Sequence, residues 1–496
     1  MDIKSLEDEL SKFIYELETE NRLVRVGLKE KSSQGEIFKK YRSLFSAEIL
    51  TQLKNLLKKK NTPKEIDIIE RIYFTIAASF IGDKLAKLQD EITTHFAQSK
   101  VTVDGETISY YQIGPRIAKE RVFEKREILE KAGLGVIEKI NAKQLKVLQE
   151  EINLIKTLGF GGYLNYYSIS KKVNYDKFYK VVEVITQQTA SLWFGAISKV
   201  SQDLLGRPFK NINSCHTSYL RSLSMFDSFF PAAKVVPTFL ANVANLGLAD
   251  LISKIKIDDV ARAKKNPRAV CYWPKPPTEI HLVIKPIGGE QDYEAMFHEG
   301  GHALHGAAVD PKLSYSLKTL AYSNALTEAY AFILEDLVFE PAWLSHYLDV
   351  SAYTASKIRW QAYFVNLMLL RRYLGKFTYE YWLFSAKNLK NGPALYAQKL
   401  KETTGFVFRP AYWLSDMDSG FYSADYLRAW IGAAQIKDYL VGKFGIKWFL
   451  NPKAGKFLRD LYGDGVKYEL EEVVKRLGYK PLDTKLLISS YASVLL

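Results

Sequence analysis

The residues best suited to chemistry in this chain are His298-Glu299-Gly300-Gly301-His302. Side chains four apart leave the same face of an α-helix, so both imidazoles can reach one ion. Glu299, next to His298, points toward the same groove. Zinc accepts imidazole nitrogen and carboxylate oxygen, and a catalytic zinc site keeps three protein ligands and one open position. Glu299 could then take the proton of a water polarised by the ion, which is the chemistry of hydrolysis. With seven His in 496 residues, a chance match to this spacing is on the order of one in a hundred or rarer.

The pair needs a third ligand. A metzincin extension would put Gly at 305 and His at 308, but those positions hold His305 and Ala308, which excludes that class. Acidic residues on a following helix are the candidates: Glu328, Glu335, Asp336 and Glu340. Glu328 sits in the apolar run Asn324–Phe332, where an unpaired carboxylate is costly, and it is the favoured ligand. The other three read as solvated helix positions. His305 extends the stripe by a further turn, too far along a straight helix to close easily round the same ion. It reads as a groove-wall or supporting residue near substrate.

These residues need elements to carry them. Asp292–Ala308 has helix character around the motif, and further helices are expected at Ser323–Val338 and Ser423–Val441. The run Glu279–Lys285 reads as a strand bearing His281, a packed strand residue or a substrate contact. Its segment Ile280–Ile284 could pair with an extended peptide by backbone hydrogen bonds. Upstream, apolar spacing of three and four predicts helices at Leu6–Leu23, Ile37–Lys59, Pro63–Gln98, Pro115–Lys131, Asn141–Lys156 and Tyr175–Leu205. Val101–Tyr110 alternates around Asp104-Gly105 and predicts a hairpin. The fold class is therefore mainly α with a small β element beside the motif helix. Gly159–Gly162 suggests a division into an N-terminal helical lobe, 1–160, and a catalytic lobe, 161–496, which could form one continuous unit.

The decapeptide Phe297–Gly306 (FHEGGHALHG) resembles the FHExGHALHG segment of the thimet oligopeptidase, neurolysin and oligoendopeptidase F family of zinc peptidases. The spacing to Glu328 and the chain length are also similar to the carboxypeptidase Taq family, with angiotensin-converting enzyme more distant. The resemblance covers about Glu279–Leu344 and Ser419–Leu440. It implies a large two-lobed helical shell around a deep substrate groove, one zinc ion per chain, and peptide substrates. The stretch Gly420–Trp430 (GFYSADYLRAW) resembles the tyrosine-rich segment that holds the tetrahedral intermediate in those families. Where the angiotensin-converting enzyme pattern places its catalytic Tyr, this chain has Ala429. Tyr422 and Tyr426, at i and i+4, are the available phenols, and Arg428 is a candidate for gripping substrate.

Composition narrows the setting. Two cysteines, Cys215 and Cys271, make no disulfide framework and suit a reducing, cytoplasmic compartment. The acidic start, Met1–Glu9, is unlike a secretion signal, and no run reaches the length of a membrane span. The net charge of +14 comes with no nucleic-acid motif; basic runs such as Lys254–Lys265 sit among helical patterns and read as solvated faces. The expected partners are peptides, without nucleic acid or membrane, for a monomer or homodimer. Two rivals use the same zinc site. One is a carboxypeptidase, with Arg428, Arg409 or Lys285 holding the terminal carboxylate; the other is an inactive zinc-binding protein. A basic nucleic-acid binder is the third, and it would show salt-dependent binding without any need for metal.

Overall fold

Helical periodicity dominates the structure as it dominates the sequence. In this computed structural model, which describes residues 2–59, 62–222, 224–386 and 388–496, 72% of the chain is helical. Among the described residues the strands fall into two small sheets, one of two strands and one of three. The fold is mainly α.

The first helix, α1 (Ile3–Arg25), is capped by the Asp2 side chain, which accepts from the backbone N–H of Lys4, and buries Leu6, Leu10 and Phe13. The helix α2 (Pro63–Gln98) follows, then the hairpin of β1 (Lys100–Val103) and β2 (Glu106–Ser109). Asp104 and Gly105 both take positive φ, 51° and 79°, which suits the right-handed twist of a two-residue hairpin. The segments Pro115–Lys131 and Asn141–Lys156 differ from expectation. Most of both belongs to one helix, α3 (Phe123–Thr157), which runs through Gly133 and Gly135. Gly133 packs closely there; a Cβ would stand 3.0 Å from Ile113 Cδ1. A short helix, α4 (Tyr163–Ser170), comes next.

The chain divides into two compact units that interleave along the sequence. The first comprises Met1–Phe80, Ser224–Arg359 and Arg428–Leu486; the second comprises Ile81–Leu223, Trp360–Leu427 and Leu487–Leu496. The second unit contains an apolar cluster of Ile108, Ile113, Ile117, Leu129 and Cys215.

The first unit contains α5 (Val235–Asn245), the three-stranded sheet, α6 (Glu290–Ala308) and α7 (Ala325–Glu335). The sheet is built from β3 (Ile255–Asp258), β4 (Val270–Lys275) and β5 (Glu279–Val283), in the order β3-β5-β4. β5 runs parallel to β3 and antiparallel to β4. Two expectations are corrected here. β5 is the central strand, with both edges already paired, so Ile280–Val283 has no free edge for a peptide. Lys254–Lys265 is not a solvated helix face. It contributes β3 and a loop, and Lys265 is buried, its ammonium donating to the carbonyls of Asp258 and Ile284 at 2.7 Å each. That one cation ties off the ends of β3 and β5. Two further long helices are α8 (Ala352–Ser385) and α9 (Tyr422–Phe444). No described helix is long and apolar enough to cross a membrane.

Candidate metal centre

Close packing brings the candidate metal-binding side chains together. α6 buries Tyr293, Met296, Phe297, Ala303, Leu304 and Ala307. Two glycines set how near its neighbours can come. A Cβ on Gly301 would lie 2.7 Å from Ala331 Cα and 3.1 Å from the Tyr330 carbonyl, so only glycine admits the α7 backbone at this distance. A Cβ on Gly306 would meet the Trp273 indole at 2.7 Å. From β4, the Trp273 indole N–H also donates to the His302 carbonyl at 3.1 Å.

With α7 held against α6, Glu328 faces both histidines. His298 Nε2 is 3.5 Å from Glu328 Oε2, and His302 Nε2 is 4.0 Å from Glu328 Oε1. One ligand atom from each of His298, His302 and Glu328 lies within 4.8 Å of the others. Tetrahedral zinc with ligands at about 2.1 Å would hold them about 3.4 Å apart. The two imidazoles and one carboxylate are a donor set zinc takes, at a spacing close to that one. The residues fit the ion.

A residue that the sequence reading missed completes the arrangement. Glu335 is 8% exposed, not solvated, and its Oε2 lies 2.6 Å from His298 Nδ1. It follows Glu328 by seven residues, two helical turns, so both carboxylates leave the same face of α7. That i, i+7 relation was the available signal. Glu340 is also buried, and Lys437 and Arg359 reach it at 2.7 and 3.2 Å. Asp336 is half-buried near the same Lys437. None of the three is a free solvated position, because the helical turn continues into a packed 3₁₀ turn, Asp336–Phe339.

The electrostatics follow from this geometry. Burial opposes a charged His298, but the hydrogen bond to Glu335 and the charges of Glu335, Glu328 and Glu299 outweigh it and carry the imidazole up to about 10. The same negative field would favour a dication. His302 moves the other way, down to about 4, through burial and the charge of His298. Glu299 is half-buried; after burial itself, its charge is the next influence pushing the Cys271 thiol up.

Other predicted site residues are placed elsewhere or already engaged. His305 is 0% exposed; its Nε2 bonds the Gly465 carbonyl at 3.1 Å, and its ring packs edge-on against Trp273 and Tyr330. It has no surface to offer a groove. His281 is nearly buried and bonds Glu279 Oε1 at 2.9 Å. Arg428 is buried, with Nε and one terminal nitrogen each 2.7 Å from the Glu471 carboxylate and the other 2.9 Å from Ser323 Oγ. Tyr422 and Tyr426 are half-buried on the first turns of α9, their rings edge-to-face at 4.9 Å. They belong to the second unit, whereas His298, His302 and Glu328 belong to the first.

No protein-family model and no curated protein matches this sequence. Solved structures do match in fold. One is described, provisionally, as an oligoendopeptidase F from Bacillus anthracis str. Ames. It aligns with a TM-score of 0.61 at 16% identity, over 93% of this chain and 82% of that one. This chain shares that fold. A second, PZ peptidase A with an inhibitor, aligns with a TM-score of 0.61 at 14% identity, over 93% and 83% of the two chains. The fold match therefore spans nearly the whole of this chain, well beyond the two segments that carry the sequence resemblance.

Proposed function

We propose that this chain is a zinc-dependent peptidase that cuts peptide bonds in oligopeptides, with Glu299 as general base. The observation that carries the reading is the convergence of His298, His302 and Glu328, each within reach of one ion, with Glu299 on the same helix. The shared fold with oligoendopeptidase F and PZ peptidase A supports it.

His298, His302 and Glu328 would hold the ion, and Glu335 would fix the His298 ring through Nδ1 so that Nε2 faces it. When bound, zinc supplies Lewis acidity, lowering the pKa of water toward neutrality and polarising a carbonyl. Glu299 takes a proton from the attacking water and passes it to the leaving amine. Tyr422 and Tyr426 are the phenols proposed to donate to the developing oxyanion, a contribution of about 3 kcal/mol for one such donor. The two free thiols, Cys215 and Cys271, accord with a reducing, cytoplasmic setting for a monomer or homodimer.

A carboxypeptidase needs a cation free to grip a terminal carboxylate. Arg428 is committed to Glu471, and Arg409 Nε lies 3.2 Å from Glu130 Oε2. Lys285 is the less committed candidate, its Nζ 3.4 Å from the Arg262 carbonyl. These pairings count against Arg428 and Arg409 in that role and leave Lys285 as the candidate. The inactive zinc-binding reading has less support, since Glu299 is intact.

The test is mass-spectrometric mapping of cleavage in a mixed peptide library, with and without chelator, alongside one peptide in end-blocked and free-carboxylate forms. Internal cleavage of both forms, abolished by chelator and restored by zinc, is the expected result. Cleavage of the free form alone would make it a carboxypeptidase, and chelator-resistant or absent cleavage would overturn the proposal.

A further inference from the structure

In the second unit, the chain enters α9 through a backbone that is costly to hold. Gly420 and Phe421 both adopt left-handed conformations, with φ of 68° and 56°. For a bulky L-residue such as Phe this is strain, and it persists only where the surroundings over-determine it. Apolar packing does part of this. The Phe421 ring is buried, stacked on Tyr175 at 4.4 Å and flanked by Phe384 at 5.7 Å. The Gly420 N–H donates to the Tyr163 hydroxyl at 2.8 Å.

A buried carboxylate does the rest. Glu380, on α8, is 1% exposed. Its Oε1 accepts from the Asp418 N–H at 2.8 Å, before the turn, and its Oε2 accepts from Ser423 Oγ at 2.6 Å, after it. Both ends of the strained segment are thus held by one side chain. Burial and the nearby Asp418 charge push the Glu380 carboxyl above the usual range, with Lys376 opposing them. A glutamine offers only one acceptor oxygen to the same two donors.

The same face of α8 reaches Tyr426. Tyr373, Lys376 and Glu380 stand at i, i+3 and i+7. The Tyr373 ring packs edge-on against Tyr426 at 5.1 Å, and Lys376 Nζ lies 2.8 Å from Asp418 Oδ2.

We propose that Glu380 is a positioning residue, holding the turn Asp418–Ser423 so that Tyr422 and Tyr426 are presented together. The catalytic consequence rests on the peptidase reading above; the structural consequence does not.

The experiment compares the full-length chain with Glu380→Gln and Ser423→Ala. Amide hydrogen exchange over residues 416–426, the thermal midpoint, and kcat and KM on a peptide are measured for each. Exchange at Gly420–Tyr422 should rise tenfold or more in both variants, with the thermal midpoint moved by only a few degrees. The kcat should fall tenfold or more while KM stays within about threefold, a split that general loosening would not produce. Wild-type exchange in this segment, or an unchanged kcat in either variant, would overturn the proposal. Should Glu380→Gln fail to fold, Ser423→Ala, which removes the bond to Glu380 Oε2, decides alone. Were the wild-type chain inactive on every peptide, the function reading would fall, and the exchange measurement would still decide whether Glu380 holds the turn.

Discussion

Glu335 Oε2 lies 2.6 Å from His298 Nδ1, and both residues are largely withdrawn from water. This bond fixes which imidazole nitrogen is left to face Glu328, so it would set the direction of the proposed metal ligand without touching the ion itself. Replacing Glu335 by Gln weakens the carboxylate–imidazole pair while keeping its shape. Zinc affinity should then fall by about 10- to 100-fold, measured by competition with a chromogenic chelator. Unchanged affinity would mean that the contact does not orient the ring.

Glu299 is a test of chemistry separate from binding. Glu299→Gln removes the proton acceptor and leaves all three metal-binding side chains in place. Zinc content, read by elemental analysis, should stay at one per chain, while kcat falls by about 10²- to 10⁴-fold. Full peptidase activity in this variant would sink the proposed mechanism.

Gly301→Ala probes the helix contact that assembles the site. The added Cβ would sit 2.7 Å from Ala331 Cα, and backbone cannot swing aside as a flexible side chain can. We expect a loss of about 1–3 kcal/mol in urea unfolding, together with weaker zinc binding as α7 is pushed from α6. A stable variant with unaltered zinc affinity would contradict the close approach.

His216 should make the second unit acid-sensitive. Its ring is buried, stacked on Phe123 at 3.8 Å, and its Nδ1 accepts from Arg126 Nε at 2.8 Å. Burial, and then the Arg126 charge, hold its pKa well below the ordinary value. The unfolded chain therefore takes up a proton near pH 6.5 that the folded chain refuses. Stability from this group is present above that pH and is lost as pH falls through it. Denaturant midpoints at pH 7.5 and 5.5 should differ more for the wild type than for His216→Asn; equal differences would refute the assignment.

Much of the fold was legible because its signals are local. The apolar spacing that predicts helices at Asp292–Ala308 and Ser423–Val441 is realised as α6 and α9 within a few residues. The Asp104-Gly105 hairpin forms where turn chemistry puts it. Local signals also misled. Apolar spacing predicted separate helices at Pro115–Lys131 and Asn141–Lys156, yet one helix, α3, runs through most of both. Glu335 and Glu340 looked solvated, as charged helix residues usually are, because the partners that bury them, His298 and Lys437, lie far away in the sequence.

The sequence by itself determined the face of α6 that bears His298, Glu299 and His302, since helical pitch is a property of the local backbone. It also singled out Glu328, because a carboxylate in an apolar run must find a partner. The tertiary structure alone decided how near Glu328 comes, through the Gly301–Ala331 approach, and what stands behind His298. It alone decided that β5 has no free edge and that Arg428 is already paired. Those outcomes depend on contacts between residues far apart in the chain, whose distances are set by packing and have no local signature.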